Sequence, residues 1–292
     1  MTAAVEFDVL RQTSATLSGL LAAAAPSVVA VHSHRSRCSG FVWKNGLVIT
    51  AEEALAEDSE IVVTLPTGMR TAELLGRDPS TDVALLRVET GDLPPISLDS
   101  DLPPMGAIAV AVGRRETEPL AAWGIVSSLG SAWLSMRGGQ IDARIELDLA
   151  LQRSAEGGVV LDASGRVLGM CVCGPRESVL VIPAATVGRV AKQLEAEGRV
   201  ARGYLGLALK GVRLAESGSL GARVVSVAPN SPGFQAGVRA GDIIESWEGR
   251  PIGSVARLLR LLGPASVGKT VTLSLRRNGE SQAVQIHVAA RP

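Results

Sequence analysis

Short apolar runs, mostly β-branched and separated by turn residues, fill the chain from Ser27 to Pro183: "SVVAVHS", "SGFVWKNGLVIT", "EIVVTLPTG", "VALLRV", "AIAVAVG", "AAWGIVSSLG", "RIELDLAL", "GGVVLDASGRVLGMCV" and "SVLVIP". Strands of this length, punctuated by Asn-Gly and Ser-Gly, predict antiparallel barrels or a sandwich. About 160 residues of such strands suit two small barrels in tandem. Helical periodicity appears before and after them. Residues 8–24 place Leu10, Leu17, Leu20 and Leu21 near one helix face, and Pro26 closes the run. Residues 184–199 line up Val187, Val190, Ala191 and Leu194, with Gly198 as the stop. From "RGYLGLAL" a second unit begins, with strands, a helix near "SVARLLRLLG" and a closing hairpin at Asn278–Gly279. The pattern divides the chain into a helical segment at 1–25, a strand-rich domain at 26–200 and a small α+β domain at 201–292.

Composition narrows the partners. The 292 residues are 46% hydrophobic, enough to fill two or three cores. Basic and acidic residues balance at 29 each, so neither a nucleic-acid footprint nor a polybasic membrane patch is expected. Three cysteines do not make a disulfide framework and read as buried thiols. Glu6 and Asp8 stand where a signal peptide would carry basic residues, and the apolar run from Leu17 to Val31 contains Pro26. The expectation is a cytoplasmic protein without a membrane span, or a periplasmic one if a leader has been removed. No cofactor is called for.

Several stretches carry a resemblance in their order and spacing. They are "CSGFVWKNGLVITAEEAL", "GRDPSTDVALLRV", "WGIVSSLG", "SAEGGVVLDASGRVLGM", "LVIPAATVGRVAKQLEAEGRVARGYLGL" and "VAPNSPGFQAGVRAGDIIESWEGRPI". From about Pro26 onward the chain resembles the HtrA (DegP/DegS-like) family. The resemblance implies a mostly β fold: a trypsin-like double antiparallel β-barrel followed by a small α+β PDZ domain. It also implies where a catalytic triad would stand. The family's histidine position is occupied by Glu53, the aspartate is kept as Asp82, and the serine before the paired Gly157–Gly158 is replaced by Glu156. A serine nucleophile needs a base to take its proton, and the base needs an orienting carboxylate. A negative charge at 156 also opposes a developing oxyanion.

On those grounds the sequence reads as a catalytically degenerate member: not an enzyme, but a protein- or peptide-binding, scaffold or chaperone-like subunit of a larger assembly. Two other classes stay open, a residual or unconventional serine endopeptidase and a metal-binding protein. The resemblance places a peptide groove at Tyr204, Leu205, Gly206 and Leu207, with Leu258, Leu259 and Leu262 lining its side-chain pocket. Trp133, rather than Trp123, is the candidate interface aromatic, and Leu17, Leu20 and Leu21 offer a leucine face to a partner, in a homotrimer or a hetero-complex. His32 and His34, with Cys38 nearby, are weak metal candidates. Glu53, Asp82 and Glu156 form an acidic cleft that either holds a cation or pairs locally, Glu156 with Arg153, while Glu52 and Glu53 point to solvent.

Overall fold

The computed structural model describes residues 2–34, 36–56, 60–98, 101–174, 178–213 and 220–291, with side chains from residue 8 onward. The chain forms two units, one comprising residues 1–133 and 141–200 and the other residues 134–140 and 201–292.

In the first unit, helix α1 (Thr2–Ala24) leads into a barrel of β1 (Val28–Ser33), β2 (Ser36–Lys44), β3 (Leu47–Thr50), β4 (Ile61–Leu65), β5 (Gly68–Asp78) and β6 (Val83–Arg87). These close in the order β1-β2-β3-β6-β5-β4. The second barrel takes β7 (Ile108–Arg115) and β8 (Glu118–Gly130), then β11 (Arg144–Asp148), β12 (Val159–Asp162), β13 (Val167–Cys173) and β14 (Val179–Pro183). Its order is β11-β14-β13-β12-β7-β8. Between β8 and β11 lie the short β9 (Trp133–Leu134) and β10 (Gln140–Ile141).

The continuous apolar runs follow from burial on both sides of a strand. Val29, Val31, Val42, Val48, Val63 and Leu86 pack in one cluster drawn from the first barrel alone. Val126, Ile145, Val160, Leu168 and Val181 do the same for the second barrel. Their strand neighbours Val28, Phe41, Ile49, Leu85, Val112, Val159 and Met170 enter a third cluster that joins both barrels. Helix α2 (Ala184–Glu197) buries Val187, Val190, Ala191 and Leu194 against that joint core. It ends on Gly198 in the left-handed conformation, whose N–H donates to Leu194 O.

Two expectations change here. Helix α1 starts earlier than residue 8, because nothing in "TAAVEFD" stops a helix. Its leucine face is not bare: Leu17, Leu20 and Leu21 pack on the joint core of this same unit, while Val9 and Leu10 stay exposed. Buried Arg114 fixes the helix exit, donating to Ala25 O and Val28 O at 2.5 Å each and to Thr117 O at 2.7 Å. The tryptophans trade places as well. Trp123 is 59% exposed, whereas Trp133 is half-buried against the core, with the Arg144 guanidinium 5.9 Å from its ring. The reason is strand alternation: β8 turns Ala121, Trp123 and Ile125 outward together.

The second unit is a sheet ordered β16 (Leu207–Arg213), β17 (Leu220–Val227), β18 (Ile243–Trp247), β20 (Thr270–Arg277) and β21 (Glu280–His287), with β19 (Arg250–Pro251) beside β18. Before it, β15 (Gly203–Tyr204) pairs with the terminal β22 (Ala289–Ala290). Asn278 and Gly279 both have positive φ, as a two-residue hairpin turn between β20 and β21 requires. Two helices complete the unit, α3 (Pro232–Gln235) and α4 (Val255–Leu261), each capped by a serine, Ser231 and Ser254.

Candidate functional site

The cleft is built from three turns. After β3 the chain leaves the barrel through buried Ala51, and Leu55 N–H closes a turn onto Glu52 O. Between β5 and β6, buried Asp78 organises the "DPSTD" turn. It accepts the Ser80 N–H at 3.1 Å, the Ser80 hydroxyl at 2.6 Å and the Thr81 hydroxyl at 2.7 Å. That turn sets Asp82 at φ +59°, and Asp82 Oδ1 accepts the Glu53 N–H at 2.7 Å. The aspartate therefore supports the backbone of the turn that carries residue 53. Glu52 does not point to solvent: it is buried, and Arg77 Nε donates to its Oε1 at 2.6 Å. Glu53 is exposed.

The third turn is the short helix Arg153–Ala155, which delivers Glu156 at its end. Ser39 N–H donates to Glu156 O at 2.7 Å. Gly157 follows with φ +83°, and a Cβ there would stand 2.3 Å from Ser39 O. At Gly158 a Cβ would meet Val112 O at 2.2 Å, so both glycines are required by backbone lying against backbone. The Glu156 N–H donates to Arg153 O at 3.1 Å, which occupies an amide that acyl-transfer chemistry would aim at an oxyanion. The Glu156 carboxylate accepts the Cys173 N–H at 3.0 Å, so its partner is the end of β13 rather than Arg153.

Removal from water pushes the Asp82 carboxyl up to about 7, and the charges of Glu156, Glu53 and Glu52 act the same way against the Glu53 N–H bond. Burial likewise pushes the Cys38 and Cys171 thiols up to about 12. Cys173 is exposed, unlike the other two, and its thiol is raised first by desolvation and then by Glu156.

Among the described residues, no group of three or more His, Cys, Asp and Glu side chains is placed to hold a metal ion. The cleft carboxylates do not converge as a cation site. His32 and His34 do not share a strand face either. Strand β1 ends at Ser33, His34 sits in the turn at φ +52°, and Cys38 points into the barrel, 3.5 Å from the Thr50 hydroxyl. Burial and then the Arg37 charge lower the His32 pKa.

A second candidate site lies in the second unit. Between β15 and β16, Leu205 is buried, and Gly206 adopts φ +72° with Ser231 filling the space a Cβ would take. Leu205 O accepts the Gly233 N–H and Gly206 O accepts the Ala228 N–H, each at 2.8 Å. Among the described residues, the N–H groups of Leu205 and Gly206 meet no acceptor. Among the described residues, strand β16 is the outermost of its sheet and pairs with a strand on one side only. Leu207, Leu209 and Val255 are partly buried at the margin of the core. Leu258 and Leu262, expected to line a pocket, belong to the core itself, and Leu259 is 54% exposed. Helix α4 buries Leu258; Leu262, just past its end, joins the same core, and Val255 is partly buried beside them, while Leu259 faces outward. Leu209 and Val255 were not singled out in the sequence, although Val255 lies on the same helical stripe as Leu258.

The two units match distinct family models, a trypsin-like peptidase domain over residues 38–170 and a PDZ domain over residues 203–288. A protein of Pseudomonas fulva named "Probable periplasmic serine endoprotease DegP-like" is 33% identical over 270 residues, covering 87% of this chain and 56% of its own length. The "Periplasmic pH-dependent serine endoprotease DegQ" of Escherichia coli is 33% identical over 259 residues, covering 82% of this chain and 56% of its own length. The crystal structure of the serine endoprotease from Yersinia pestis superimposes with a TM-score of 0.71 at 27% identity, covering 94% of this chain and 98% of that one. The chain belongs to the HtrA family. Its fold is the trypsin-like double barrel followed by a PDZ domain, and it spans about half the length of the curated HtrA relatives it matches.

Family membership corrects the expectation that the chain is not an enzyme. The HtrA relatives are named serine endoproteases, which points to a protease, and nothing in the comparisons supports a scaffold subunit. Glu53 and Glu156 remain facts about two positions and do not decide the class. The expected cytoplasmic location also finds no support, since the relatives are named periplasmic. Among the described residues no helix is long and apolar enough to cross a membrane.

Proposed function

We propose that this HtrA-family chain captures the carboxyl-terminal ends of proteins or peptides at its PDZ domain, in the periplasm and within a larger assembly. The observation that carries the reading is the pair of unoccupied amides, Leu205 and Gly206, at the head of a strand paired on one side only among the described residues. A terminal carboxylate is a fitting acceptor for such a pair, and the residues before it can add a strand along β16. Leu207, Leu209 and Val255 supply the apolar margin for the last side chain.

Fluorescence anisotropy on the full chain tests this, using peptides that end in an apolar residue with either a free carboxylate or a carboxamide. The free acid binds, the amide loses about tenfold or more in affinity, and Val255→Asp removes binding. Equal affinity for acid and amide, or no binding of either, refutes the reading.

The names of the relatives carry a second reading, peptide-bond hydrolysis. At this cleft the attacking hydroxyl has to come from somewhere other than position 156, and Ser154 is the nearest in sequence. Labelling of Ser154 by a fluorophosphonate probe, together with casein cleavage lost in Ser154→Ala, establishes that reading. Absence of both removes it.

A further inference from the structure

Away from β16, the PDZ domain carries a polar concavity of about 430 Å³ that the peptide groove does not use. Strand register assembles it. Arg223 on β17 pairs with Ile243 on β18, and Ile243 pairs with Arg276 on β20, so two guanidinium-bearing residues flank one isoleucine across three strands. Arg277 follows in sequence, and Arg239 comes from the loop before β18.

These four arginines are not equally engaged. Buried Asp242 accepts Arg277 Nε at 2.8 Å and Nη2 at 2.7 Å, and the Arg239 N–H at 2.8 Å. Its carboxyl is held below the ordinary range by the Arg277 bonds, the Arg239 amide and both arginine charges, which outweigh its desolvation. Arg276 Nε donates to Glu245 Oε1 at 2.6 Å. The Arg223 and Arg239 guanidiniums have no acceptor among the described residues. Glu280, across the hairpin turn from Arg277, is exposed and does not line the concavity.

The arrangement is a fixed floor, Asp242 with Arg277, beside two exposed forked donors; the Asp242 charge reaches Arg239, but neither the Arg223 nor the Arg239 guanidinium is tied down by a hydrogen bond among the described residues. Guanidiniums suit bidentate oxyanions, and their mutual repulsion favours a dianion over a single carboxylate. The concavity is of small-ligand size rather than of protein-interface size.

We propose that the concavity lined by Arg223, Arg239, Arg276 and Arg277 binds a phosphate-class dianion, either free or as a lipid headgroup. Arg223 and Arg239 grip the ligand, and Asp242 positions Arg277 beneath it. The site is independent of the carboxylate-binding loop, so losing one leaves the other intact.

Isothermal titration of the full chain with inorganic pyrophosphate in 0.15 M NaCl tests the free ligand. Co-sedimentation with phosphatidylcholine vesicles, with and without phosphatidylinositol 4-phosphate, tests the headgroup. The wild type binds saturably in at least one arm, with Kd below about 1 mM for pyrophosphate if that arm is the one. Arg223→Gln and Arg239→Gln each weaken binding by about tenfold or more without moving the unfolding midpoint, since neither guanidinium holds the fold. Arg257→Gln, on exposed α4 outside the concavity, leaves binding unchanged. Binding in the vesicle arm alone, lost in the same two variants, assigns the ligand to the headgroup. No saturable binding in either arm, binding untouched by the two variants, or equal loss in Arg257→Gln overturns the proposal.

Discussion

Asp82 combines a left-handed backbone, a hydrogen bond from the Glu53 amide and a carboxyl whose pKa is pushed up to about 7. In the unfolded chain the same carboxyl titrates near 3.9. Between those values the folded state holds the extra proton, so this residue's contribution to stability falls as pH rises from about 4 to about 7 and is level above that. Asp82→Asn keeps the oxygen that accepts the Glu53 N–H, and asparagine tolerates the positive φ. The variant is therefore expected to match the wild type at pH 4 and to exceed it by several kcal/mol, about 4 at most, at pH 8. Urea unfolding at the two pH values checks it, and a difference that does not change with pH counts against it. Glu53, Asp82 and Glu156 were singled out through the family resemblance, which places them where a triad would stand. The buried Glu52–Arg77 pair was not, because Glu52 lies on the turn after β3 and Arg77 near the end of β5, and no local pattern links them.

Among the elements, the strands were the most readable, since a run such as "VVAVHS" has one outcome when both of its faces are covered. Helix α1 was legible as a helix but misread in purpose. Periodicity shows that Leu17, Leu20 and Leu21 share a face without showing that the face is already covered by this chain's own barrels. Leu258 and Leu262, which the family resemblance puts in a groove, belong to the core, since a leucine on this helix can serve either place. Nothing local in the sequence marks Arg114, which donates to the carbonyls of Ala25 and Val28 at the exit of α1 and to that of Thr117 in the turn before β8. Arg114→Met removes the guanidinium from those carbonyls, of which Ala25 O keeps the Val28 N–H, and is expected to cost roughly 3–5 kcal/mol. Chemical unfolding measures the loss. The same variant makes amide exchange in residues 17–24 markedly faster, and unchanged exchange there sinks the view that Arg114 secures the helix.

At the scale of the molecule, order and spacing of motifs were enough to give the family and its two-part architecture, while function was read too far from two side chains. The substitution of Glu156 for a serine is plain in the sequence. The turn geometry around it is kept by Gly157, Gly158 and Ser39, whatever the side chain at 156 does.

Cys38 lies within the packed cluster of the first barrel and Cys171 within that of the second, while Cys173 is open to water. Each barrel thus carries its own reporter of transient opening. A maleimide reagent should modify one sulfur at once and the other two only as fast as their barrels breathe. Mass spectrometry of the Cys173→Ser protein over time then gives two separate opening rates. A single shared rate would mean that the barrels open as one body.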